Sequence, residues 1–107
     1  MNASQPRVEL LWWEGCPSSE QAHSLVRRVM ADVGIDPGSL ASIEIDTDAA
    51  AEREGFVGSP TIRVDGRDVQ PPEDGEPPGL TCRIYHLRDG RVSPLPDPED
   101  IKEALVT

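Results

Sequence analysis

Aromatic side chains are scarce in this chain: two Trp, one Tyr and one Phe among 107 residues, or 4%. Apolar residues make up 36%, so the expected core is modest and mostly aliphatic. The length suits one ordinary domain spanning residues 1–107. Basic residues are outnumbered, 10 Lys and Arg against 20 Asp and Glu, for a formal charge of −10. A nucleic-acid backbone repels such a surface, which argues against DNA or RNA as a partner. Lysine occurs only as Lys102, which reads as coding bias and not as chemistry. No apolar run approaches the roughly 20 residues of a membrane span. The start "MNASQPRVELL" lacks the basic beginning and apolar centre of a secretory signal. The expectation is a cytoplasmic protein that meets no membrane. Cysteine is limited to Cys16 and Cys82. In a reducing compartment such a pair points to reactive, metal-binding or plain core residues more than to a structural staple.

What is present alternates. Residues 1–6 read as a loose tail. "VELLWW", Val8 to Trp13, is a short apolar run of the kind that forms a central strand covered on both faces. From Pro17 to Val33 the apolar residues Ala22, Leu25, Val26, Val29, Met30 and Val33 follow helical spacing, and Gly34 supplies the stop. "SIEID", Ser42 to Asp46, alternates as a strand does. Thr47 and Asp48 can cap a short helix that ends at Gly55. "SPTIRVDG" follows, with Ile62 and Val64 on one strand face and an Asp65-Gly66 turn leading to "RDVQ". Residues 70–79, "QPPEDGEPPG", form a proline-rich acidic loop without periodicity. "TCRIYHL", Thr81 to Leu87, reads as another strand. Asp97 and Pro98 begin a last helix with Ile101, Ala104 and Leu105 on its apolar stripe. The order predicts an α/β fold, βαβαββα, whose mixed sheet is parallel in its N-terminal half and antiparallel among its C-terminal strands.

In that scheme Cys16 stands between the first strand and the first turn of the first helix, with Pro17 at the first helical position. Free N–H groups and the helix dipole at such a place favour a thiolate. Glu14 opposes this if it lies close. The alternative is a small buried residue, which cysteine often is.

A second stretch bears on the choice. Ser59-Pro60-Thr61 precedes the third strand, after Gly58. The combination of a strand, then "GCPSS" opening a helix, then "SPT" before a strand resembles the thioredoxin-like superfamily, and more narrowly small bacterial proteins of thioredoxin or glutaredoxin type. The resemblance implies a cis Pro60 packed against a nucleophilic Cys16, and activity as a thiol redox protein on thiol or disulfide substrates or a protein partner. One departure matters. The second cysteine of the usual Cys-X-X-Cys is Ser19 here, in "CPSS". A hydroxyl closes no disulfide, but Ser19 can hydrogen-bond a thiolate one turn away. The resemblance then implies mixed disulfides, as in monothiol glutaredoxins, with glutathione as a possible partner and Arg63 as its basic contact. Cys82 is the remaining sulfur and the candidate resolving thiol, although a cysteine in mid-strand is held by its ladder. No cofactor is expected.

Other polar residues are weaker candidates. His23 on the helix reads as a surface residue, and His86 as half-buried beside Tyr85. With the two cysteines they could make a zinc site, but their spacing is irregular. One of Trp12 and Trp13 belongs to the core, because neighbouring strand residues face opposite sides, and the other can line the floor of the Cys16 site. Two rival readings stay open: a non-catalytic module that binds a partner on the same fold, and a thiolate that holds a soft metal or organomercurial, which needs Cys16 and Cys82 to converge.

Overall fold

The computed structural model describes residues 5–72 and 75–106. Most of the expected tail and two residues of the acidic loop, 73 and 74, therefore lie outside the described residues. Four strands make one sheet: β1 (Val8–Trp12), β2 (Ala41–Glu44), β3 (Thr61–Val64) and β4 (Arg67–Asp68), in the order β2-β1-β3-β4. β1 runs parallel to β2, with Glu9 opposite Ala41 and Trp12 opposite Glu44. It runs antiparallel to β3, with Val8 opposite Val64 and Leu11 opposite Thr61. β3 and β4 are antiparallel through the Asp65-Gly66 turn, where both residues have positive φ. The helices are α1 (Ser19–Asp32), α2 (Asp48–Glu54) and α3 (Pro98–Val106). The chain is thus a mixed α/β structure built on a mixed sheet.

The continuous apolar run in β1 is explained by cover on both sides. Val8 and Leu10 pack with Ile62 and Val64 under Val26, Val29 and Met30 of α1 and Ile101 and Leu105 of α3. Leu11 faces the other way, into Ile45, Ala50, Ala51 and Phe56 around α2. Leu10 and Leu11 are both fully buried, each contributing roughly 1.5–3 kcal/mol by the usual transfer scale. Local signals close the elements. Thr47 accepts from the Ala50 N–H at 3.0 Å to cap α2, and Gly55 ends it in the left-handed region. The last residues before β1 are tied down: the Arg7 N–H reaches Asp65 at 2.9 Å, and the Asp65 N–H returns to the Arg7 carbonyl at 2.8 Å.

The structure corrects two boundaries. α1 begins at Ser19, not at Pro17, and residues 17–18 form a turn. The Ser19 hydroxyl lies 3.3 Å from the Trp13 carbonyl and 3.2 Å from that of Cys16. It draws 13–19 into a tight loop that delays the helix. Thr81 to Leu87 is not one strand either. Cys82 makes an isolated parallel bridge with Ser59, and only Tyr85–His86 (β5) pairs, with Val92–Ser93 (β6), as a separate two-stranded sheet. The alternation in this segment also runs against hydropathy. Arg83 and Tyr85 point inward, while Ile84 is 66% exposed and His86 is exposed.

Candidate functional site

Cys16 follows a tight turn at the end of β1. Its N–H donates to the Trp13 carbonyl at 3.0 Å across Glu14-Gly15. Gly15 lets the Trp13 ring lie over the turn, because a Cβ at that position would fall on the ring. Trp13 packs against the α2-side core, whereas Trp12 packs against the α1-side core. Trp13 is therefore the tryptophan beside the cysteine turn.

The Cys16 side chain is 4% exposed, and its Sγ donates to the Ser59 carbonyl at 3.4 Å. Ser59 is fully buried and acts as the hub of the site. Its hydroxyl accepts from the Trp13 N–H at 3.0 Å, which ties the β3 entry to the β1 exit. Its own N–H donates to the Thr81 carbonyl at 2.8 Å, and its carbonyl accepts from the Arg83 N–H at 2.8 Å. The bond from Ser59 to the buried Pro60 is cis. Tyr85, also fully buried, donates its phenolic O–H to the Pro60 carbonyl. Burial pushes the Tyr85 phenol well above its ordinary range, against the opposing Arg83 guanidinium, so it stays a donor at neutral pH.

Cys82 sits on this shoulder, paired with Ser59 across the parallel bridge, and is exposed. Both cysteines are free thiols, and both converge on Ser59, Cys16 through its Sγ bond to the carbonyl and Cys82 through the backbone bridge. The Cys82 thiol is pushed up by partial desolvation first and then by the nearby Cys16 thiol.

Arg83 bolts the segment in place. Its guanidinium is buried, 2.7 Å from Asp68 and 3.2 Å from the Thr61 hydroxyl, and it also donates to the Gln70 carbonyl. It lies over the Tyr85 ring at 4.6 Å. Gly58 makes the close approach possible. At its φ of +144° a Cβ would meet Arg83 Cβ at 3.1 Å and Arg83 N and Cα at 3.3 Å.

Cys16, Pro60 and Cys82 are therefore brought together, and Ser19 stands behind them. The Ser19 hydroxyl holds the turn through its carbonyls, while the Cys16 sulfur turns to Ser59. Among the described residues no backbone N–H hydrogen-bonds that sulfur, so the helix-mouth donors expected to support a thiolate are not aimed at it. Arg63, the expected basic contact for glutathione, is engaged by the Glu54 carboxylate at 3.5 Å and by the Glu54 carbonyl at the end of α2. His23 accompanies Trp12 instead. Its Nδ1 lies 2.8 Å from the Ser19 carbonyl and its Nε2 2.7 Å from the Ser42 hydroxyl, which also accepts from Trp12 at 2.9 Å. Among the described residues no group of three or more His, Cys, Asp or Glu side chains converges as metal ligands. A groove of about 570 Å³ beside the segment is lined by Pro71, Pro72, Arg83, Ile84 and His86, but by neither sulfur.

Arg83 and Tyr85 were not singled out from the sequence, and Gly58 and Ser59 were read only as part of the stretch that leads into Pro60. The signal available was Gly58 directly before the Ser-Pro pair, together with a lone Arg inside an otherwise strand-like run.

Compared with protein-family models, curated proteins and solved structures, the chain matches none. Among the described residues no helix is long and apolar enough to cross a membrane.

Proposed function

We propose that this chain is a thioredoxin-like protein of thiol–disulfide exchange in a reducing, cytoplasmic setting, working through the Cys16–Cys82 pair. The observation that carries the reading is the convergence of two free thiols on Ser59, one held by its carbonyl and the other bridged to its backbone. The order of elements and the mixed sheet support it. Ser19 cannot form a disulfide with Cys16, and Cys82 supplies the second sulfur from a distant part of the sequence. In the exchange two protein thiols give two electrons to a disulfide substrate, yielding a protein disulfide and two small thiols.

The test is mild oxidation followed by intact mass spectrometry, together with turnover of hydroxyethyl disulfide. The expected result is a monomer lighter by two hydrogens and turnover that is lost in Cys16→Ala and in Cys82→Ala. Thiols that stay inert under conditions that oxidise an ordinary reactive cysteine would refute the reading and leave a partner-binding module. A glutathione adduct on Cys16 with Cys82 still free would replace it with a monothiol route. The same convergence supports a second reading, a two-coordinate soft cation held between the sulfurs. That reading requires tight uptake of such a cation by a pair that forms no disulfide.

A further inference from the structure

We infer that Cys82, not Cys16, is the sulfur that exchanges with the external disulfide, and that Cys16 is the inner thiol that resolves it. The inference rests on the reading of the pair as an exchange site and assigns the order of events within it.

Access decides the order. Cys16 is 4% exposed and Cys82 is exposed. The cover over Cys16 is a bolted segment. An external chain reaching Cys16 by strand addition needs the backbone groups of Ser59, and both are taken: its N–H by Thr81 and its carbonyl by Arg83 and the Cys16 thiol itself. Freeing them requires extraction of the buried Arg83 guanidinium from Asp68, Thr61 and Gln70. A disulfide reaches Cys82 with none of this.

The steps balance. The Cys82 thiolate attacks one sulfur of a disulfide RSSR, a Cys82–S–SR bond forms, and RS⁻ leaves to take a proton from solvent. Cys16 gives its proton to solvent and attacks the Cys82 sulfur. The second RS⁻ leaves, and the internal disulfide remains. Two thiols have been oxidised and one disulfide reduced to two thiols. In reverse, an external thiolate attacks the exposed Cys82 sulfur and expels Cys16. With a chain charge of −10, the substrate class is a neutral or cationic disulfide, small or on a protein surface.

The probe is dipyridyl disulfide, which is neutral and releases a chromophoric thione at each exchange. Wild type is expected to release two equivalents and end as the internal disulfide. Cys16→Ala should release one equivalent at the first-phase rate of wild type and keep the adduct. Cys82→Ala should react more slowly, by on the order of tenfold or more, because its remaining thiol is buried. Cys16→Ser is run beside Cys16→Ala, with circular dichroism to verify folding. Wild type is also quenched in acid after substoichiometric probe, and peptide mapping should find the transient adduct on Cys82, a readout independent of any variant. A Cys82→Ala protein that reacts as fast as Cys16→Ala, or an adduct mapped to Cys16, overturns the order while leaving the pair intact. A wild type that releases no second equivalent removes the exchange reading and this inference with it.

Discussion

Replacing Arg83 with Met removes one partner of a buried ion pair and keeps most of the side-chain volume. The Arg83 and Asp68 side chains are 6% and 13% exposed, and their atoms lie 2.7 Å apart. The variant leaves the mostly buried Asp68 carboxylate without its counterion, with the Gln70 N–H at 2.9 Å as its remaining bond. It also strips a donor from Thr61 and from the Gln70 carbonyl. Breaking such a pair from one side typically costs about 3–5 kcal/mol. Asp68 keeps some contact with water, so we expect the lower end, about 3 kcal/mol, or roughly 12–24 °C of Tm for a domain of this size. The double variant Arg83→Met/Asp68→Leu removes both charges and should recover most of the loss. Urea unfolding of wild type, both single variants and the double variant closes the cycle, with the m-value verifying that the denatured state has not changed. Because the bolt also holds residues 81–83 against Ser59, the exchange rate at Cys16 should rise in Arg83→Met even where the protein remains folded. An Arg83→Met protein within about 0.5 kcal/mol of wild type, the range of an ordinary surface change, would refute the account of Arg83 as a buried anchor.

The parts of the fold legible in the sequence are those whose determinants are local. The apolar run of β1, the helical stripe of α1, the Thr47 cap, the Gly55 stop and the Asp65-Gly66 turn each carry their signal within a few residues, and each of these features is present, the start of α1 alone being shifted. The parallel pairing of β1 with β2 follows from the helix between them. What was not legible is long-range. Arg83 is buried only because Asp68, Thr61 and Gln70, 13 to 22 positions away, arrive around it. Its own neighbours give no hint of that, and the inward facing of Arg83 and Tyr85 leaves Ile84 in solvent against its hydropathy. The same geometry removed the objection to Cys82. A cysteine in a continuous strand is held by its ladder, but Cys82 has a single bridge, and that bridge carries it to Ser59, whose carbonyl accepts from the Cys16 thiol. The start of α1 was displaced by the Ser19 hydroxyl turning back to two carbonyls, a competition between side chain and backbone that periodicity does not register.

Gly58→Ala should destabilise the protein by roughly 1–3 kcal/mol in urea unfolding, because it joins a positive φ to a Cβ that meets the Arg83 backbone at 3.3 Å; a cost of a few tenths would mean that residues 81–83 give way and are not bolted. The last expectation concerns acid. The Asp97 carboxylate caps α3, accepting from the Arg88 N–H at 2.9 Å and the Glu99 N–H at 3.0 Å. Those two bonds, the Arg88 one first, hold its pKa below the ordinary 3.8, with attraction from Arg88 and Arg91 adding to them. Every one of these favours the charged form in the folded state. The sign is therefore fixed: the stabilisation is fully present above the ordinary carboxylate value and is lost as pH falls from there through the lower folded value. Asp97→Asn keeps one acceptor oxygen, which can serve the Glu99 N–H, but places an NH2 group where Oδ2 accepts from the Arg88 N–H, so it loses that bond and the charge assistance of the other. Urea midpoints of wild type and Asp97→Asn should differ at pH 7, with wild type the more stable, and the gap should narrow as pH drops below the folded value of Asp97. A gap of the same size at neutral and strongly acid pH would mean that the carboxylate acts through shape alone, and the electrostatic account of the α3 cap would be wrong.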